Sequence, residues 1–216
     1  MKKFYWASVL AAAMATMPVQ AASVDLTVSG TVIPTSCIPA FAGGANVDLG
    51  RISSATLNPS AQSNLPTRDI TLSIACDAPA PVEIAVTDNR GATKVPGLTF
   101  NGRTGDALYY GLGSTQGVGI GGFSLEGAQP LTDGNLQLLL EHSTVDPTWR
   151  SPVSRLLSNA PTSYSWGPSA AAGPVAARLH TLPIRVSAAI RATSELPPTT
   201  DEFLLDGSVT FDVFYL

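Results

Sequence analysis

Charge is scarce in this chain, and so are the residue patterns on which enzyme chemistry rests. Only 13% of its 216 residues are charged, 12 basic against 16 acidic. That leaves no basic surface for a polyanion such as nucleic acid. Cysteine occurs only at Cys37 and Cys76, without the CxxC spacing that redox catalysis or structural zinc would need. The two histidines, His142 and His180, stand in no HExxH or other ligand spacing and read as readily as surface loop residues. Ser114 lies in GLGSTQG, which does not match the GxSxG elbow. Residues 117–122, GVGIGG, satisfy GxGxxG, but no helical pattern follows. These glycines therefore read as turns and bulges rather than as a dinucleotide fingerprint. No catalytic residue, metal site or cofactor is expected.

Long apolar runs are also lacking. The longest, residues 4–17, falls short of the roughly 20 residues a membrane span requires. It follows Lys2 and Lys3 and precedes Pro18 and the small-residue site at Val19, Gln20 and Ala21. Residues 1–21 thus read as a cleaved secretory signal peptide, and residues 22–216 as one exported domain. In an oxidising compartment the two cysteines are expected to form one disulfide, with two buried thiols as the alternative. Closing a loop of that length contributes about 4 kcal/mol in the chain-entropy model.

What the sequence has in abundance is two-residue alternation. Over residues 23–37, Val24, Leu26, Val28 and Val32 share a face with Gly30, while Asp25, Thr27, Ser29 and Thr31 take the other. This predicts a half-buried strand ending near Pro34. A short strand is expected at 47–52, with Val47, Leu49 and Arg51 on one face and a bulge at Gly50. Ile70, Leu72, Ile74 and Cys76 alternate next, then, beyond a turn at 77–81, Val82, Ile84 and Val86. Short β-like pieces follow in a glycine-rich stretch, then a strand at 135–141 and another at 182–192. The last strand places Val209, Phe211, Val213 and Tyr215 on one face. Residues 143–174 break the pattern with recurrent proline between Trp149, Tyr164 and Trp166, and read as an irregular insertion without a central strand. Within it, 153–158 could make one or two helical turns. The fold class is all-β, an antiparallel sandwich.

The run VSGTVIPTSC, the VDLGRI that follows, the strand ending in the second cysteine and the C-terminal strand with tyrosine next to last resemble the pilin subunits of chaperone-usher fimbriae. ITLSIACDAPAPVEIAVTDNRGA and LDGSVTFDVFYL bring the chain still closer to an uncharacterised family of exported, fimbria-associated bacterial proteins, a domain of unknown function. The resemblance implies an immunoglobulin-like sandwich lacking its last strand. Its hydrophobic groove would be filled first by a periplasmic chaperone and then by the N-terminal extension of the next subunit, with an outer-membrane usher as a further partner. Groove or chaperone-contact candidates are Val209, Phe211, Val213 and Tyr215; donor-strand candidates are Val24, Leu26 and Val28. Ahead of the part that matches a pilin first strand stand only residues 22–27, about 20 Å fully extended, a shorter arm than polymerising pilins carry.

Two functions remain open from sequence. One is a non-enzymatic fimbrial or fimbria-like structural subunit, exported to the periplasm and the cell surface and assembled by strand addition. The other is a self-contained periplasmic or adhesive sandwich that binds a glycan through loops carrying Trp149, Tyr164 and Trp166. These rings could equally cap the sandwich core, which is the preferred reading of them.

Overall fold

The structure, a computed structural model, describes residues 24–32, 35–198 and 202–216. The expected leader at 1–21 and Pro34 lie outside these residues. The chain divides into a short unit, Met1–Ile33, and a compact body, Pro34–Leu216. In the short unit, residues 24–32 have no regular secondary structure and every side chain is exposed. The half-buried strand expected from residue 23 onward is therefore not formed there. Alternation makes a segment competent to pair, but a strand exists only where a neighbour takes up its hydrogen bonds.

The body is built of antiparallel strands, with no α-helix among the described residues. Its main strands are β1 (Cys37–Phe41), β2 (Arg68–Ala80), β3 (Val82–Asp88), β4 (Tyr110–Gly111), β5 (Gly121–Gly127), β6 (Leu138–Ser143), β7 (Thr162–Gly167), β8 (Ala177–Ile190) and β9 (Val209–Tyr215). One sheet runs in the order β1-β2-β8-β5-β4 and the other β6-β7-β3-β9. Together they make the expected all-β antiparallel sandwich. The alternating residues face the core as the period of two requires. Leu72 and Ile74 of β2, Ile84 and Val86 of β3, and Leu182, Ile184 and Val186 of β8 are all buried. β2 does not end at Cys76 but continues to Ala80, and Pro81 alone separates it from β3, so the chain changes sheets at that proline.

β8 is central to its sheet yet carries Pro183, paired with Thr71 of β2. The Pro183 carbonyl accepts from the Ala128 N–H at 2.8 Å, so the proline nitrogen faces the same side, toward β5. There β5 ends its pairing at Gly127, and Leu131–Thr132 takes over opposite Thr181 and His180. The missing donor falls in that gap and costs no ladder bond. Gly121 opens β5 where a Cβ would sit 2.0 Å from the Ala189 carbonyl of β8. Close approach of two backbones, not phosphate binding, accounts for this glycine.

Three local expectations are corrected. Residues 162–167 are not irregular but form β7, a central strand between β6 and β3. Pro161 and Pro168 lie just outside it, so neither removes a ladder donor, and Tyr164 and Trp166 alternate with Ser163 and Ser165 like any strand. Residues 153–158 form no helix, because Leu157 donates to the Leu125 carbonyl at 2.8 Å and Gly127 to the Arg155 carbonyl at 2.9 Å, tying the segment to β5. Residues 47–52 form no ladder and run as an irregular segment. Gly50 takes φ +73°, and this shifts the phase: Val47, Leu49 and Ile52 are half-buried, while Arg51 turns outward.

Candidate functional site: the open edge of the last strand

Cys37 and Cys76 form the expected disulfide, directly opposite one another across β1 and β2 with Cα atoms 4.0 Å apart. It fixes β1 at the border of its sheet. Ser36 O accepts from the Asp77 N–H and Ala42 N–H donates to the Thr71 carbonyl, so the even-numbered residues of β1 face β2. The odd ones, 37, 39 and 41, turn their backbone groups to the outer edge. All three are blunted. Cys37 N–H donates to the Tyr215 hydroxyl at 2.9 Å, Pro39 has no N–H, and the Phe41 carbonyl accepts from Gly44.

β9 borders the other sheet, and among the described residues nothing blunts its edge and its only ladder partner is β3. Ser208 O accepts from Asn89 N–H, and Leu216 N–H donates to the Pro81 carbonyl, so even-numbered residues face β3. Val209, Phe211, Val213 and Tyr215 therefore turn their N–H and C=O groups away from the sheet. Within the body, no described residue takes up those groups. Their side chains point inward but are not fully covered. Val209, Phe211 and Val213 are half-buried, and Tyr215 is 54% exposed.

Beneath this edge lies a cavity of about 1110 Å³. Phe41, Val209 and Phe211 line it with residues of the 47–57 and 203–208 segments, over a floor that includes Phe123, Leu125 and Val186. Phe41 and Phe211 meet edge to face, 5.3 Å between ring centroids, and bridge β1 to β9. The chain entering β9 is held by Arg90, whose guanidinium grips the Asp206 carboxylate at 2.8 and 3.2 Å. That hydrogen bond and charge raise the Arg90 pKa above its ordinary value. Asp206 N–H also donates to the Leu112 carbonyl. Asp88, half-buried at the end of β3, accepts from the Arg90 and Gly111 N–H groups, fixing the turn that presents Arg90. An apolar floor under free main-chain donors and acceptors can accept an extended segment as an additional strand.

The remaining candidates lie elsewhere. The donor candidates Val24, Leu26 and Val28 are 95%, 89% and 88% exposed in the short unit. Tyr164 and Trp166 are buried in β7 and offer no ring face to a ligand; their place is the one the preferred reading gave them, inside the core. The Tyr164 hydroxyl accepts from Ser158 N–H at 2.6 Å. Trp149 is half-buried with its ring against His142, 4.3 Å between centroids. Neither histidine lies in a loop, contrary to the sequence reading. His142 is in β6, its Nε2 2.9 Å from Glu83 Oε2. His180 is fully buried in β8. Among the described residues no cluster of His, Cys, Asp and Glu is arranged to hold a metal.

Fold and edge together define a β-sandwich with one blunted border and one border that no described residue covers. The chain matches a family described as "Protein of unknown function (DUF1120)" over residues 26–124. It is 28% identical to Protein GltF of Escherichia coli (strain K12), over 97% of this chain and 95% of that one. Among solved structures it is similar to the P pilus rod subunit PapA, at 12% identity and a TM-score of 0.34, over 80% of this chain and 92% of that one. The resemblance to an uncharacterised domain family is borne out.

Proposed function

We propose that this chain is a non-enzymatic, fimbria-like structural subunit, exported and assembled by strand addition at the open edge of β9. The observation that carries this reading is the row of backbone groups at Val209, Phe211, Val213 and Tyr215 that no described residue takes up, beside an apolar cavity. A long unpaired edge is an aggregation hazard that proteins normally blunt, as β1 is blunted here. In this reading the edge of β9 is kept open because a partner covers it, a periplasmic pilus chaperone before assembly and the N-terminal segment of another subunit afterwards. Each main-chain hydrogen bond adds about 0.5–1.5 kcal/mol, and each apolar side chain seated in the cavity about 1.5–3 kcal/mol.

The test uses proline at Val209. Its N–H faces outward, so Val209→Pro removes a donor for the added strand while leaving the ladder to β3 intact. Full-length protein carrying this change is expected to stay folded and to lose co-purification with a periplasmic pilus chaperone. Capture equal to wild type, or a wild-type chain that is a stable monomer without any partner, argues instead for a self-contained sandwich.

A further inference from the structure

We propose that Tyr215 is a stop that sets how far an added strand reaches along β9, and that the strand it admits is residues 24–28 of a second copy. The inference rests on the strand-addition reading above and specifies its partner. The Tyr215 hydroxyl accepts from the Cys37 N–H at 2.9 Å and lies 3.4 Å from the Cys37 carbonyl oxygen. The phenol thus crosses from the edge of one sheet to the edge of the other. The cavity ends before it: Phe41, Val209 and Phe211 line the space, and Val213, Tyr215 and Cys37 do not.

An added strand places every second side chain inward. Opposite Val209 and Phe211 such side chains enter the cavity, and opposite Val213 one covers a half-buried valine. At Tyr215 the phenol already occupies the interior position. Pro39, the next outward-facing residue of β1, offers no N–H on the other border. The edge therefore takes three alternating apolar side chains and no more. Val24, Leu26 and Val28 are three such side chains, almost fully exposed, with Asp25 and Thr27 on the opposite face and side-chain-free Gly30 beyond. The stop matches the short arm.

Calorimetric titration of the full-length protein tests this, using synthetic peptides that carry residues 23–29 and versions lengthened at either end. In wild type, lengthening at the end that meets Tyr215 is expected to gain nothing, whereas in Tyr215→Phe the same extension gains about tenfold in affinity. The Cys37 amide is expected to stay protected from hydrogen exchange before and after peptide binding in wild type, and to lose protection in Tyr215→Phe. Identical length dependence in the two proteins, or loss of Cys37 protection on peptide binding, overturns the stop. Self-association that survives removal of residues 24–28 overturns the named occupant. Failure of every peptide to bind either protein overturns strand addition itself, and the stop with it.

Discussion

His180 shows how much one buried residue constrains. Its Nδ1 accepts from the Trp166 indole N–H at 2.8 Å, so the ring proton sits on Nε2 and is donated to the Ala80 carbonyl at 3.0 Å. One neutral imidazole thereby links β7 of one sheet to β8 and the end of β2 in the other. Burial lowers its pKa, and the Ala80 and Ala177 carbonyls and the Asp133 carboxylate offset this only in part. The unfolded chain, with an ordinary pKa of about 6.5, takes up a proton that the folded chain refuses. Stability is therefore fully present above about pH 6.5 and falls as the pH drops from there toward the lowered folded value. Protonation would also turn Nδ1 into a donor facing the indole donor. Urea midpoints are expected to be lower at pH 5 than at pH 7.5, and His180→Gln should remove part of that difference. An equal pH dependence in the variant counts against the assignment.

At the scale of strands, alternation in the sequence was informative wherever one face is buried, and silent about what a strand pairs with. β2, β3 and β8 were legible because Ile, Leu and Val recur every second residue above a shared core, and β9 because Val and aromatic residues alternate with polar ones. His180 has the same phase as Leu182, Ile184 and Val186, so the alternation itself signals its burial. β7 was hidden because prolines crowd both ends of it, yet the alternation of Tyr164 and Trp166 with serine marked it as a strand. The open edge was legible only as a face, since nothing in residues 209–215 shows which border of the strand lacks a neighbour. The cysteine pair was visible from spacing and phase, and it yields a test at this scale. β1 makes ladder contacts with β2 alone, so Cys37→Ser or Cys76→Ser is expected to lower stability by about 2–5 kcal/mol. Denaturant unfolding of the oxidised protein and the variant measures this, and a loss below about 0.5 kcal/mol would show that the ladder alone holds β1 in place.

For the molecule as a whole, the proposed pairing of one acceptor edge with one apolar donor segment is a head-to-tail contact, the kind that builds rings or open filaments rather than closed dimers. The blunted border at β1 matters here, because a second acceptor edge would let copies pair indiscriminately. Since no side chain in residues 24–32 is buried, this segment adds little to the core, and its removal separates assembly from folding. Deleting residues 24–28 from the full-length protein is expected to leave the melting temperature of the body within about 2 °C of wild type, a stability change of no more than about 1 kcal/mol. It is also expected to preserve chaperone capture, because the edge of β9 is intact, and to abolish higher assembly on size-exclusion chromatography. A melting temperature lowered by 5 °C or more, corresponding to about 2 kcal/mol of lost burial, together with unchanged assembly, would mean that Val24 and Leu26 complete their own sandwich. The protein would then be a self-contained sandwich rather than a link in a fibre.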